Sequence, residues 1–471
     1  MIQKYFIEQI TSHFPYQPTD DQAEMLDKLS AFILSKETDS LFILKGYAGT
    51  GKSSLVGAVV KALTTLKQKT VLLAPTGRAA KVFSSYADNS AYTIHKKIYR
   101  QKKFSGEYSG FELNNNLHTH TLFIVDEASM IPNGYTDASF GSGHLLDDLI
   151  EYVYSGTGCR LVLMGDSAQL PPVGEKISPA FDSSVLNRFG LTLTGFTLKQ
   201  VIRQQQESGI LNNATHIRTQ IVQGNTTDFP VIRLNNYPDI TTIRGDELIE
   251  RISMAFDKEG IEETIVISRS NKRTNIYNNG IRNSILYREE ELSSGDVLMI
   301  VKNNYYWGEA FEEIDFIANG EMAQIKRVRK IEELYGFRFA DVTLELMDYQ
   351  KEMDAKILLD TLHSETTALS KEQNNQLFVS VLEDYSDIST KAGKMRKLKK
   401  DPYYNCLQVK YGYAITCHKA QGGQWKHVFL DVGYLTKEYM GTDFYRWLYT
   451  AFTRATEHLY LINFPEEMTG K

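Results

Sequence analysis

Four short apolar runs punctuate the first 170 residues: Leu41 to Leu44, Thr70 to Ala74, Thr121 to Val125 and Arg160 to Met164. Runs of this length without polar alternation predict strands buried on both faces, as in a parallel sheet. Each run gives way to a polar or glycine-rich segment, the position where open α/β sheets bind ligands. A second set follows much later, at Thr264 to Ile267, Tyr413 to Thr416, Val428 to Asp431 and Leu459 to Ile462. Two α/β cores are therefore expected. Between them, from 290 to 402, the pattern changes to alternation, as in Asp296 to Val301 and Ala340 to Leu346. Alternation predicts half-buried antiparallel strands, hence a small β insertion in the second core. A shorter interruption, 87 to 120, falls in the first core and carries glycines and aromatics suited to a hairpin tip, Phe104 and Tyr108 among them. The expected organisation is a first core over 1–86 and 121–198, interrupted at 87–120, and a second over 199–289 and 403–471, interrupted at 290–402. No solenoid-period repeat or low-complexity tract is present.

Composition narrows the class. At 471 residues the chain exceeds the size of one core, and 42% hydrophobic residues provide ample buried area. It has no apolar run of membrane-spanning length, and its start lacks a leader, so an intracellular protein is expected, cytoplasmic or nucleoid-associated. Three widely spaced cysteines, Cys159, Cys406 and Cys417, fit a reducing compartment and no metal spacing. The net charge of −6 argues against a polyanion-binding surface everywhere. Local basic runs at 96–103, 326–330 and 391–400 could still meet phosphates, although a solvated face is the better reading of the last, which has no aromatic to stack a base.

The candidate chemistry begins where the first apolar run ends. Gly46-Tyr47-Ala48-Gly49-Thr50-Gly51-Lys52-Ser53 fits the phosphate-loop pattern GxxxxGK[ST] at every fixed position. Such a loop presents backbone N–H groups and a helix N-terminus to phosphate oxygens, Lys52 would reach the β and γ phosphates, and Ser53 would ligate Mg²⁺. Asp126 and Glu127 end a later apolar run. In such ATPases the first carboxylate serves the metal and the second polarises the attacking water. Gln169, in Gly165-Asp166-Ser167-Ala168-Gln169-Leu170-Pro171-Pro172, can hydrogen-bond both a γ-phosphate and a water. Arg203 and Arg454, outside the first core, are candidates for the positive charge that phosphoryl transfer needs when a cleft closes.

In order along the chain stand GYAGTGKS, LLAPTGRAAK (72–81), YTIH (92–95), IVDEAS, GDSAQLPPV, VIRQ (201–204), AITCHKAQGGQW (414–425) and LYTAFTRA (448–455). This series resembles the motifs of superfamily 1 DNA helicases, and its HKAQG and TRA elements resemble subgroup B, the Pif-family, RecD-like and phage Dda-like enzymes. The resemblance spans residues 22–455. It implies an α/β protein of two RecA-like cores with ATP and Mg²⁺ between them, a small wedge at 87–120 and an SH3-like β insertion at 290–402. It further implies that Gln22 reads adenine, that Gly49, Thr50, Gly51, Lys52, Ser53, Ser54 and Gly422 bind the nucleotide, that Ser53 and Asp126 hold the metal, and that Arg203 and Arg454 act as arginine fingers. Pro75, Thr76, Lys81, His95, Thr416, His418 and Lys419 match DNA-facing positions, and Phe104 or Tyr108 the wedge tip. The 130–158 segment does not match the longer Pif-family signature, so the resemblance is to subgroup B rather than to one of its members.

The implied activity is ATP-dependent translocation from 5′ to 3′ on single-stranded DNA, with unwinding at single/double-strand junctions by a monomer. G-quadruplexes and RNA–DNA hybrids stay open as substrates. A non-translocating P-loop ATPase is the rival class, and it predicts one core and an arginine from a neighbouring subunit. A nuclease is disfavoured because the sequence shows no further carboxylate cluster at metal-site spacing.

Overall fold

A computed structural model describes residues 1–101, 111–134, 140–202, 207–234, 237–311 and 316–470. Phe104, Tyr108 and Arg203 lie outside the described residues. The first sheet is built from β1 (Ser40–Gly46), β2 (Thr70–Ala74), β3 (Ala91–Thr93), β6 (Leu122–Val125), β7 (Arg160–Gly165) and β8 (Thr192–Leu198), in the order β3-β2-β6-β7-β1-β8. Every pairing in it is parallel. The four apolar runs form its four central strands, and all of Leu122 to Val125 is buried, as sheet faces covered on both sides require.

The helices that matter for the site are α1 (Ile2–Ser12) and α2 (Asp20–Leu34), which precede β1, α3 (Lys52–Thr65) and α4 (Gly77–Ala87), which connect β1 to β2 and β2 to β3, and α5 (Ile94–Ile98), which follows β3. Thr76 caps α4 by accepting from the Ala79 amide at 3.2 Å, and Thr93 caps α5 by accepting from Lys96 at 3.2 Å. A side-chain oxygen at these positions satisfies an amide that the first turn leaves without a partner.

The expected insertion at 87–120 is smaller than its span. Ala91 to Thr93 pairs with β2 and belongs to the first sheet, while β4 (Tyr99–Gln101) and β5 (Phe111–Leu113) form a separate antiparallel ribbon. A three-residue edge strand carries too little pattern to be separated from a loop by sequence.

The second sheet contains β9 (Ile240–Ile243), β10 (Thr264–Ser268), β16 (Ala414–Thr416), β17 (Trp425–Asp431) and β18 (Ala455–Ile462), ordered β16-β10-β17-β18-β9 and again parallel throughout. Between β10 and β16 the chain forms a closed barrel of β11 (Val297–Ile300), β12 (Met322–Leu334), β13 (Phe337–Leu346), β14 (Lys351–Leu358) and β15 (Leu407–Tyr411). The barrel therefore runs past the expected boundary at 402. Its last strand pairs antiparallel with β11 and parallel with β14, and it is buried at every position, so its pattern is that of a core strand. Buried apolar residues of the barrel and of the second sheet, Leu344 and Phe429 among them, share one hydrophobic cluster.

The basic runs separate on inspection. Lys326, Arg329 and Lys330 are paired with Glu345, Asp354 and Glu332, so that run is a laced barrel surface. The 391–400 run forms a mostly exposed helix, Lys391–Leu398. Among the described residues, no helix is long and apolar enough to cross a membrane.

Candidate nucleotide site and nucleic-acid interface

The phosphate loop leaves β1 and enters α3, as its sequence demands. Gly49 and Gly51 adopt φ of +76° and +71°, a region costly for residues with a Cβ. A Cβ on Gly51 would stand 2.7 Å from Gln22 Nε2 and 2.8 Å from Ile202 Cδ1, so the position admits only glycine. Gln22 is buried, donates to the Thr50 carbonyl at 2.9 Å and accepts from the Thr19 amide at 3.0 Å. It thus ties the start of α2 to the loop. Lys52, Ser53 and Ser54 form the first turn of α3, with Gly51 as its N-cap and Thr50 before that.

Lys52 lies with its Nζ 3.4 Å from Asp126 Oδ1. Burial alone would lower its pKa, but Asp126, Glu127 and Asp166 together outweigh that and raise it, so the ammonium is firmly charged. Asp126 caps the end of β6. Its Oδ1 accepts from the Glu127 amide at 2.8 Å, and its Oδ2 accepts from the Tyr86 hydroxyl. Glu127 adopts φ +51°, a left-handed conformation unusual for a side chain with a Cβ and often found at functional sites. Burial pushes its carboxyl pKa up, against the pull of Lys52. Glu127 Oε2 and Gln169 Oε1 are buried without a hydrogen-bond partner.

These features fit a nucleotide and its metal. A buried lysine, a glycine cradle and two polar oxygens lacking partners suit phosphate oxygens and an attacking water. The Ser53 hydroxyl and the Asp126 carboxylate supply hard oxygen ligands of the kind Mg²⁺ prefers.

The second sheet closes on this site. Its helix Thr442–Phe452 brings Tyr449 across, whose hydroxyl accepts from the Ala48 amide of the phosphate loop at 3.0 Å and donates to Asp166 Oδ2 at 2.5 Å. Burial raises the Asp166 pKa, and the bonds from Tyr449 and the Ala168 amide oppose that rise. The next residue, Thr450, accepts from the Leu170 amide at 2.9 Å, while Gln421 donates to the Leu170 carbonyl at 2.8 Å. The Gln169 loop is thereby sewn to the second core on both sides. Arg454 is buried and donates to the Thr450 and Gly423 carbonyls and to Thr453 Oγ1, each at 3.0 Å. Its charge still acts on Glu127 and Asp166, drawing both carboxyls down.

A cavity of about 290 Å³ opens on another side of the same junction, lined by Pro75, Thr76, Arg78 and His95 from the first core and His418 and Lys419 from the second. The structure therefore gathers five of the seven expected DNA-facing residues. Thr416 lines a small neighbouring cavity together with Lys419. Lys81 stands apart, exposed, 3.5 Å from Asp348 on the barrel. Gly422, with φ +74°, packs on the first turn of α4: an added Cβ would stand 3.0 Å from Ala79 Cβ and 3.2 Å from Thr76 Oγ1.

The barrel supplies a wall of this cavity through Phe316, Ala318, Asn319, Gly320, Glu321 and Met322. Asn319 Oδ1 accepts from Lys419 Nζ at 2.5 Å. Burial lowers the Lys419 pKa to about 8 and that of His418 below its ordinary value. Glu321 is buried with Oε2 lacking a partner, and burial pushes its pKa up to about 8.

Sequence reading missed Tyr86, Asp166, Gln421, Tyr449 and Glu321. Asp166, Gln421 and Tyr449 stand inside the recognised motifs, so adjacency was their available signal. Tyr86 and Glu321 carried none. Folding also brings the ligand atoms of Glu259, His427 and Glu457, far apart in sequence, within 4.8 Å of one another. Lys426 and Lys258 already neutralise Glu259 there, at 2.6 and 3.1 Å.

Comparison with known proteins adds to this geometry. Residues 18–229 match the AAA domain model, and 411–462 match that of the UvrD-like helicase C-terminal domain. An uncharacterised protein of Acanthamoeba polyphaga mimivirus is 23% identical, with 92% of this chain and 97% of that one covered. The ATP-dependent RecD2 DNA helicase of Deinococcus radiodurans is 23% identical over 94% of this chain, which spans 48% of RecD2. The ATP-dependent DNA helicase Dda of enterobacteria phage T4 is 22% identical, with 84% and 88% covered. Among solved structures, the Pif1 helicase from Candida albicans aligns over 96% of each chain with 16% identity and a TM-score of 0.46. In its motif series and its sequence the chain is thus similar to the superfamily 1 subgroup B DNA helicases RecD2 and Dda, and its C-terminal part to UvrD-like helicases.

Proposed function

We propose that this protein is an ATP-driven DNA helicase that moves 5′ to 3′ along a single strand and opens duplex at single/double-strand junctions, working as a monomer. One observation supports this above the others. The phosphate loop and the cavity gathering Pro75, Thr76, His95, His418 and Lys419 both lie where the two parallel sheets meet, so both sites contain residues from each core. A change in the spacing of the cores alters both at once. In a one-core ATPase that coupling has no structural basis.

In this reading Lys52 and the loop amides hold phosphate, Ser53 and Asp126 hold Mg²⁺, and Gln22, Gly49, Thr50, Gly51, Ser54 and Gly422 complete the nucleotide pocket. Bound Mg²⁺ neutralises phosphate charge and makes the γ-phosphoryl group easier to transfer. Glu127 orients the attacking water and takes its proton, a task suited to a carboxyl whose pKa burial has raised. Gln169 reports the state of the γ-phosphate. Arg454, released from its carbonyl partners, and Arg203 from the segment joining the cores, supply positive charge as the cleft closes. The Tyr449, Thr450 and Gln421 bonds to the first core then transmit closure to the Gln169 loop. On the opposite side, Thr76, Thr416 and Lys419 take backbone phosphates without regard to sequence, and His95 and His418 face the bases. The insertion at 87–120 is the proposed wedge, and its candidate tip residues, Phe104 and Tyr108, lie outside the described residues.

The test is unwinding of matched duplexes bearing a 5′ or a 3′ single-stranded tail, with ATP hydrolysis followed alongside and Lys52→Ala as the control. Unwinding from the 5′ tail alone, with turnover stimulated by single strands and abolished in Lys52→Ala, is expected. Unwinding only from a 3′ tail would overturn the polarity and leave the motor, whereas turnover indifferent to DNA would overturn the motor itself.

A further inference from the structure

Helix α4 joins the two sites in a single rigid element. Its N-terminal end, Thr76 to Arg78, lines the cavity between the cores. Its other end carries Tyr86, whose hydroxyl donates to Asp126 Oδ2 and has the Ser53 side chain as a further polar neighbour. These are the two residues whose oxygens would hold the metal. Ten residues of helix separate Thr76 from Tyr86, roughly 15 Å along the axis.

Neither end of α4 is loose. The Arg78 guanidinium sits 4.0 Å from the Trp425 ring of the second core, and Gly422 packs on Thr76 and Ala79. At the far end the Tyr86 ring stacks on Phe83 at 5.1 Å. The Tyr86 carbonyl presses so close to Gly57 of α3 that a Cβ there would stand 2.6 Å from it. A shift imposed at the cavity has little slack in which to dissipate and must reach Tyr86.

Building on the function proposed above, we infer that Tyr86 is a positioning residue that competes with the divalent cation for Asp126, and that nucleic acid seated against Thr76 to Arg78 draws α4 so that Tyr86 releases the carboxylate. The hydroxyl occupies one oxygen of the carboxylate that the cation would need. Without nucleic acid the cation must displace it. With nucleic acid in place Asp126 Oδ2 is open to the cation, while Oδ1 keeps Lys52 and the Glu127 amide. Wasteful hydrolysis off DNA is thereby suppressed through binding of the metal rather than of the nucleotide.

The experiment titrates Mg²⁺ into the full chain with a fluorescent ADP analogue, with and without oligothymidylate, and reads the Mg²⁺ midpoint for analogue binding. In the wild-type protein oligothymidylate is expected to lower that midpoint by about fivefold or more, the lower end of ordinary coupling. In Tyr86→Phe, which keeps the ring on Phe83 and removes only the hydroxyl, the midpoint without oligothymidylate is expected to equal the wild-type value with it, and the shift to fall below about twofold. Tyr86→Leu, with the ring also gone, is expected to behave alike. If Tyr86→Phe keeps the wild-type shift, or if wild type binds both ligands with no shift, the inference is overturned and the helicase reading stands. If wild type binds neither, that reading falls and takes the inference with it.

Discussion

Replacing Tyr449 by Phe removes one oxygen from the seam between the cores, and the structure allows its cost to be worked out. The hydroxyl makes two bonds, accepting from the partly buried Ala48 amide at 3.0 Å and donating to the buried Asp166 at 2.5 Å. Leaving a buried amide without a partner costs about 1–3 kcal/mol, and losing a bond to a charged acceptor about 1.5–3 kcal/mol. The two do not add fully, because burial already raises the Asp166 pKa and the carboxyl can take up a proton when its donor is gone. A net loss of about 2–3 kcal/mol follows, taken from the low end of each range. For a core of about 200 residues melting as one unit, roughly 2–4 °C per kcal/mol applies, and the loss lowers its melting transition in the nucleotide-free protein by about 4–12 °C. Tyr445→Phe, on the same helix, is the control. Its hydroxyl donates at 2.8 Å to the Asp228 carbonyl, which does not belong to the first sheet. That neutral bond is worth about 1 kcal/mol. Differential scanning fluorimetry at neutral and lower pH reads both variants. The Tyr449→Phe deficit should shrink as the pH falls, since protonated Asp166 forms a weaker bond in the wild type. A deficit under about 1 °C, or one matched by Tyr445→Phe, would refute the role of the seam.

Two further predictions rest on single residues. Glu321 holds a proton in the folded chain up to about pH 8 but loses it near 4.5 when unfolded, so its contribution to stability is full below 4.5 and is lost as pH rises through about 8. The slope is at most about 1.4 kcal/mol per pH unit, Glu321→Gln should flatten it, and parallel melting curves for the two proteins between pH 6 and 9 would refute the assignment. Arg454→Ala should lower turnover far more than nucleotide affinity, and an equal loss of both would demote the residue from a transition-state role to its visible one of bracing Thr450 and Gly423.

Much of the architecture was legible because buried parallel strands leave a pattern that nothing else in a soluble chain requires. Each of the eight apolar runs overlaps a strand, four in each sheet. The edges were harder. Strand β3 is three residues long, and β15 is buried at every position although it belongs to the barrel rather than the sheet, so neither pattern nor burial reveals its partner. Legibility of the site followed the same logic. Phosphate demands glycines, a lysine and a hydroxyl at fixed spacing, and local chain geometry alone delivers them. The gathering of Pro75, Thr76, His95, His418 and Lys419 around one cavity was foreseeable only from the family's motif order, since spacing cannot bring residues more than 300 positions apart together.

What spacing could not reveal were the residues that make one site depend on the other. Tyr449 and Asp166 are 283 positions apart, and Tyr86 and Asp126 are 40 apart. A tyrosine in a helix rich in apolar residues looks like core, and Tyr86 does pack on Phe83, but a phenol also carries a donor that must find a partner once buried. Both tyrosines found carboxylates of the nucleotide site. The pairing is economical in physical terms: a buried aspartate without a cation needs a donor, and a neutral hydroxyl satisfies it while remaining weak enough for a cation to displace. Tyrosine at these two positions therefore suits sites that must stay satisfied when empty and open when filled, which is the requirement that alternating occupancy imposes on a motor.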